Sequence, residues 1–366
     1  MRSIRLFLPL LLLLLPLKGC KVPDVNPFAK ATTEMTSALT LGLDHATTQL
    51  GLTTKQKLAP AQLQQLQAQQ KKLRQQAAAI QEILKALDAY SGTLVEVADA
   101  NSKGKESINE AADALASIST ALGPSVSLGI KGAAEGVKAI SGYVQTIRTL
   151  SSLKKAVQPA DAAIQRVATI LQANFADLAR IDSTAADIQE VIITDQNQLI
   201  LQSYDDLQQR QTLADTMTAY IVAFENTAYK PSTPRRTQRL EQLLKSMKAI
   251  DKAVPAATSA NPAQLSATLA LLSKREAFWL QRATDVNRLR PRYEAVQAQL
   301  ATIRTGSSQR RSLFAQSTHL VQVWARAHTS LKTAVLKESR SVSFQEVLVA
   351  AQELRSFIDK IETNKQ

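Results

Sequence analysis

One cysteine, Cys20, stands among 366 residues, so no disulfide can close within the chain and its stability has to come from packing. The three histidines, His45, His319 and His328, lie far apart, none in an HExxH pattern or beside another ligand at metal spacing. Walker loops and GxGxxG or GxSxG turns are missing, which removes the usual phosphate-binding and nucleophile signatures. Alternating strand patterns of useful length and internal repeats are also missing. No catalytic, cofactor-binding or metal-ligating residue is therefore expected, and the chain does not read as an enzyme. Aromatic residues make up only 4% of the chain, and its apolar residues are mostly Ala, Leu, Ile and Val. That composition suits close helix-to-helix contact, and 45% hydrophobic residues suffice for a sizeable core.

The N-terminus joins two basic residues, Arg2 and Arg5, to an apolar run over residues 6–17, the layout of a secretory signal peptide. At 12 residues the run is shorter than the roughly 20 that a transmembrane helix needs. It ends in Leu17, Lys18, Gly19 and Cys20, which resembles the lipobox of bacterial lipoproteins; Lys18 departs from the small or apolar residue common at its position. The resemblance covers residues 1–20 alone. It implies cleavage before Cys20, fatty acylation of that cysteine and a membrane anchor in the cell envelope. Lys21 is not the aspartate that commonly retains lipoproteins in the inner membrane, so in a Gram-negative cell the resemblance favours the outer membrane, facing the periplasm. The plainer alternative is ordinary cleavage after a small residue, leaving an inert thiol.

Loss of residues 1–19 removes Arg2, Arg5 and Lys18 and lowers the formal charge from +13 to +10. Such a balance favours anionic surfaces, and export makes envelope proteins or anionic surface polymers better partners than nucleic acid. The expected organisation is a signal peptide over residues 1–19, a lipidated N-terminus and tether over 20–31 with Pro23 and Pro27, and an elongated antiparallel helical bundle over 32–366. The fold class is all-α.

Within that bundle, helices are expected over residues 32–50 and 61–101. In the second, Leu66, Leu73, Ala77, Ile80, Leu84, Leu87, Leu94 and Ala98 recur at coiled-coil spacing. Residues 160–230, bounded by Pro159 and Pro231, hold neither glycine nor proline and read as one long helix or two nearly collinear ones, about 100 Å in all at 1.5 Å per residue. One apolar phase runs from Ile164 to Leu199, and Ile200, Tyr204, Leu207, Ala214, Met217, Ile221 and Phe224 take up another. The acids of this stretch read as a solvated or salt-bridged face, complemented by basic return helices. Thr233 and Asn261 precede prolines as helix caps, and Ser343 to Glu346 reads as a capping box. Pro291 is expected to kink a continuous helix and Gly306 to stop it. His328 falls in phase with Trp324, Leu331 and Val335 and reads as a core residue.

Composition changes sharply over residues 115–143, which hold five of the 11 glycines. Gly129, Gly132 and Gly136 mark a candidate helix-contact or membrane hairpin, since small residues let backbones approach closely. The structural reading is a tight helix crossing. The functional one is a membrane-entering tip like those of α-helical pore-forming toxins, against which Lys131, Glu135 and Lys138 weigh. A further basic cluster, Lys55, Lys57, Lys71, Lys72 and Arg74, suits anionic lipid or polymer or a solvated face. The expected function is a lipid-anchored binding or scaffolding component of the envelope, with a membrane-perturbing protein or an envelope enzyme as alternatives.

Overall fold

The computed structural model describes residues 24–51, 60–99, 104–124, 133–148, 153–230, 233–256, 262–337 and 342–363. Among them there are long helices and no strand: α1 (Asn26–Gly51), α2 (Pro60–Asp99), α3 (Gly104–Ala121), α4 (Ala133–Arg148), α5 (Leu153–Gln196), α6 (Gln198–Ala228), α7 (Pro234–Ile250), α8 (Pro262–Lys337) and α9 (Gln345–Thr363). The all-α expectation holds. None of these helices is long and apolar enough to cross a membrane. The chain divides into two compact units, the first made of Met1–Ile188 and Thr305–Gln366 and the second of Gln189–Arg304.

Unit 1 is an up-and-down bundle whose senses follow from its cross-helix contacts. α1 and α9 run parallel, because Phe28 packs on Phe344 and His45 meets Glu362. α2 opposes α1, with Thr33 donating to Asp88 and Gln81 to Asp44. The last part of α8 also opposes α1: Trp324 donates to Thr32, and Leu313 lies beside Gly42. α5 opposes α8 in turn, through Asp161 with His328 and Asp182 with Arg310. α3 and α4 form a hairpin tied by Asp113 with Arg148 and Ser119 with Ser141.

The α2 seam is buried as its spacing predicts, apart from Ala98, which is half-buried. A second stripe, Gln76, Ile83, Tyr90 and Val97, is buried beside it. α2 thus packs on a face wider than a two-helix seam, as a helix surrounded by several others requires. Each fully buried Leu or Ile adds roughly 1.5–3 kcal/mol of hydrophobic stabilisation, so the seams dominate the bundle.

Unit 2 has its own smaller core of α6, α7 and the first part of α8, with Met217, Phe224, Leu244, Met247 and Leu272 at its centre. Thr233 caps α7 by accepting from the Arg236 amide, and Pro234 occupies the first turn, where its missing N–H costs nothing.

Four expectations are corrected. α1 starts at Asn26, inside the supposed tether, because Asp24 accepts the Asn26 amide and Val25 and Phe28 are drawn into the core. Pro159 lies inside α5 rather than bounding it, with Val157 and Ala160 buried on either side; their burial offsets the hydrogen bond that the proline deletes. Gly306 lies within α8 and does not stop it. A helical glycine costs only about 1 kcal/mol relative to alanine. Leu199, placed on the first apolar phase, is 80% exposed, because the helix breaks two residues earlier at Asn197. There the Asn197 side-chain amide donates to the Ile193 carbonyl and competes with the regular backbone ladder. The break coincides with the expected change of phase. Pro291 does lie within continuous α8, as expected.

Candidate functional site

The densest polar cluster lies inside unit 1, where four helices meet. The spacing of Trp324, His328, Leu331 and Val335 turns the imidazole of His328 inward, and Thr329 and Lys332 follow on the flank of α8. Opposite them stands Asp161 on α5, with Tyr90 approaching from α2. His328 Nδ1 lies 3.0 Å from Asp161 Oδ1, and its Nε2 lies 3.0 Å from the Tyr90 hydroxyl. Thr329 donates to the same Asp161 oxygen at 3.0 Å, and Lys332 donates to the other at 2.6 Å. Gln165 donates to Thr329 Oγ1 and to the Ala325 carbonyl. From α1, Phe28 packs edge-on to His328 and stacks on Trp324, whose indole donates to Thr32.

The electrostatics select one arrangement of protons. Burial raises the Asp161 carboxyl, but hydrogen bonds from His328, Lys332 and Thr329 outweigh it and hold the group well below the usual carboxylate range. Burial lowers His328, with Lys332 adding to the effect, and outweighs the pull of Asp161. The imidazole is therefore neutral at neutral pH, donating through Nδ1 to the carboxylate and accepting at Nε2 from tyrosine. Burial, and then the Asp161 charge, push the Tyr90 phenol far above its ordinary range, so it stays a donor.

A tyrosine, histidine and aspartate in hydrogen-bonded series could relay a proton, but here Tyr90 and His328 are sealed in the core. Lys332, whose side chain is 26% exposed, reaches the rim together with half-buried Thr329 and Gln165. What the geometry does provide is a polar tie holding α2, α5 and α8 in one register, in a low-dielectric setting that strengthens each bond.

Two further clusters act similarly. In unit 1, buried Asp182 accepts from Ser307 and from the Arg310 guanidinium. Burial pushes its carboxyl upward while Arg310, Ser307 and Arg311 pull it back. Gly306 makes room for this pair, since a Cβ there would sit 3.1 Å from the guanidinium. In unit 2, Asp251 ends α7 and accepts from the Ala253 amide, the Arg275 guanidinium and the Trp279 indole. Burial raises its carboxyl, but these bonds prevail and lower it.

Cys20, Gly129 and Gly132 lie outside the described residues, as do Lys55 and Lys57. Gly136 is described and buried: a Cβ on it would fall 2.1 Å from Ile170 Cδ1, so the glycine admits the close approach of α4 to α5. Lys71 and Arg74 are exposed. His45 lies 3.3 Å from Glu362, and His319 is exposed. Among the described residues no group of three or more His, Cys, Asp or Glu side chains could hold a metal ion.

The acids of the long stretch do not all face solvent, as their dispersal suggests: Asp182 is buried, and Asp161 is too. The signal for both was a carboxylate on the apolar phase, Asp161 three residues before Ile164 and Asp182 four after Leu178. The expected charge complement appears between α5 and α8, as Arg304 with Glu190 and Arg310 with Asp182, whereas Arg210 pairs with Asp206 within α6.

The surface of unit 1 carries an open groove of about 870 Å³ between α2 and α3, lined by Ala78, Ala79, Ala86 and Ala121 with Glu82 and Lys85 at its edge. In unit 2, Leu271 and Phe278 are exposed seven residues apart on one face of α8, with the Arg275 guanidinium 4.7 Å from the Phe278 ring.

No protein-family model, no curated protein and no solved structure matches the chain.

Proposed function

We propose that the chain is a lipid-anchored extracytoplasmic helical-bundle protein that binds or scaffolds other components of a bacterial cell envelope. The observation that carries this reading is the position of the single cysteine, Cys20, which follows a 12-residue apolar run by only Lys18 and the small residue Gly19. Lipid on Cys20 fixes the chain to a membrane, and the bundle presents its surface to partners.

The distribution of polar and apolar groups supports the binding role. The chemistry-bearing side chains of unit 1 are spent on one another inside the core, where they tie helices. Seven of the nine large apolar side chains exposed among the described residues belong instead to unit 2. Leu271 and Phe278, backed by Arg275, combine an apolar contact with a cation, a composition enriched at protein interfaces.

Two measurements test the proposal. Cells fed labelled palmitate should incorporate label into the wild type and not into Cys20→Ser, and globomycin should leave the precursor uncleaved. An unlabelled wild type, or equal label on Cys20→Ser, would overturn the anchor. Photocrosslinkers placed at Leu271 and at Phe278 in intact cells should capture one and the same envelope protein, while one at Glu353 in unit 1 should not. Adducts identical at all three positions, or no adduct at the first two, would overturn the binding surface.

A further inference from the structure

The first described residue, Asp24, stands four residues after Cys20. Asp24 bonds the Asn26 amide, and Val25 and Phe28 are already in the core of unit 1. Four residue steps separate Cys20 from Asp24, and at full extension they span no more than about 14 Å.

The cross-helix contacts show which end of unit 1 this is. Phe28 touches Trp324, His328 and Phe344, so the start of α1 shares its end with the close of α8 and the start of α9. Tyr90 and Asp161 bring the close of α2 and the start of α5 to the same place. The other end holds His45 with Glu362 and Asp44 with Gln81. Along α1 that is roughly 25–30 Å away, at 1.5 Å per residue.

Resting on the acylation reading, we propose that the end of unit 1 at which α1 starts is a membrane-facing surface, seated on phospholipid headgroups by its short link to lipidated Cys20. Lys30 on α1 and Lys337 on α8 are exposed at this end and meet the lipid phosphates. The groove that joins Gln75 to Pro124 places the close of α3 toward the opposite end. Pro124, on the edge of the glycine-rich stretch, therefore stands on the side of unit 1 away from the anchor.

Acylated full-length protein is reconstituted in vesicles of phosphatidylethanolamine and phosphatidylglycerol that carry an acceptor dye on a fraction of headgroups. Because acylation consumes the only native thiol, Lys337→Cys and Asp359→Cys each accept a single donor dye, on exposed positions at the two ends of unit 1. Energy transfer to the headgroups should be at least about twofold stronger from Lys337→Cys, given a separation of roughly 25 Å along the helices. Lys30→Cys should reproduce the strong transfer and guards against a local effect at α8. Equal transfer from both ends, or stronger transfer from Asp359→Cys, overturns the proposal while leaving acylation intact. A wild type whose Cys20 still takes up the dye carries no lipid there and overturns both.

Discussion

Unit 1 hides its polar groups, whereas unit 2 shows its apolar ones. In unit 1, Tyr90, Asp161, Asp182, Arg310 and His328 are buried and bonded to one another inside a core built from several long helices. Unit 2 rests on a smaller core with Asp251 as its principal buried acid, and it exposes most of the large apolar side chains that reach solvent. Long amphipathic helices build both. The difference lies in how many neighbours each helix has: a helix surrounded on several sides must satisfy any polar group inside, whereas a helix with one packed face can leave side chains in water or against a partner.

That contrast can be broken first at Asp161. Asp161→Ala strands His328 and Lys332 without their acceptor, and loss of one partner of a buried charged network costs about 3 kcal/mol or more. Urea unfolding followed by circular dichroism should show a large drop in midpoint; a loss below about 1 kcal/mol would mean that the network is dispensable. Asp251→Ala, the counterpart in unit 2, removes the carboxylate that accepts from the Ala253 amide, the Arg275 guanidinium and the Trp279 indole and should cost about 2 kcal/mol. Its unfolding should be confined to signals from unit 2, such as fluorescence of Trp279 in a Trp324→Phe background.

Packing gives the next effect. Gly136→Ala forces a methyl group onto Ile170 and should cost about 1–2 kcal/mol, with Ile170→Val, which removes the clashing Cδ1, restoring much of it. Additive losses in the double variant would contradict the close approach of α4 and α5.

Acidity should separate the units further. His328 is held below its ordinary value of 6.5, so in the folded protein it takes up a proton less readily than in the unfolded chain. The unfolded state then binds more protons as pH falls below that value, and stability declines. Asp161, also lowered, extends the decline below the ordinary carboxylate value of 3.8. At the other extreme the raised phenol of Tyr90 makes stability fall above about pH 10, where the unfolded chain alone ionises. Urea midpoints at pH 7.5 and 5.5 check the acid side, and His328→Gln should reduce the difference. The smallest effect belongs to the exposed face: Leu199→Ser should change stability by no more than about 0.5 kcal/mol, and a larger loss would show that this side chain is covered.

Much of the fold was legible along the chain because helical periodicity is a local property. The seam of α2, the second phase from Tyr204 to Phe224 and the closing stripe from Phe344 to Ile361 are buried where their spacing puts them, apart from half-buried Ala98 and Leu207. Thr233 caps α7 for the same reason, since a cap depends on the few residues that follow it. His328 was readable as a core residue from its phase with Trp324 and Leu331, but its partners were not. Tyr90 and Asp161 lie 238 and 167 residues away from it along the chain, and no local pattern encodes which acid meets which imidazole.

The helices, their apolar faces and the position of Cys20 after its apolar run can be read along the chain, because each depends on spacing within a few turns. It takes the packed bundle to leave α8 unbroken at Gly306 with room for Arg310, to hold Pro159 inside a helix and to start α1 at Asn26. Each of these sets a modest local penalty, about 1 kcal/mol for a helical glycine and about 3 for an interior proline, against the burial of side chains supplied by distant helices. Burial and buried pairing are summed over many neighbours, so they outweigh local preference and can be read only once the neighbours are in place.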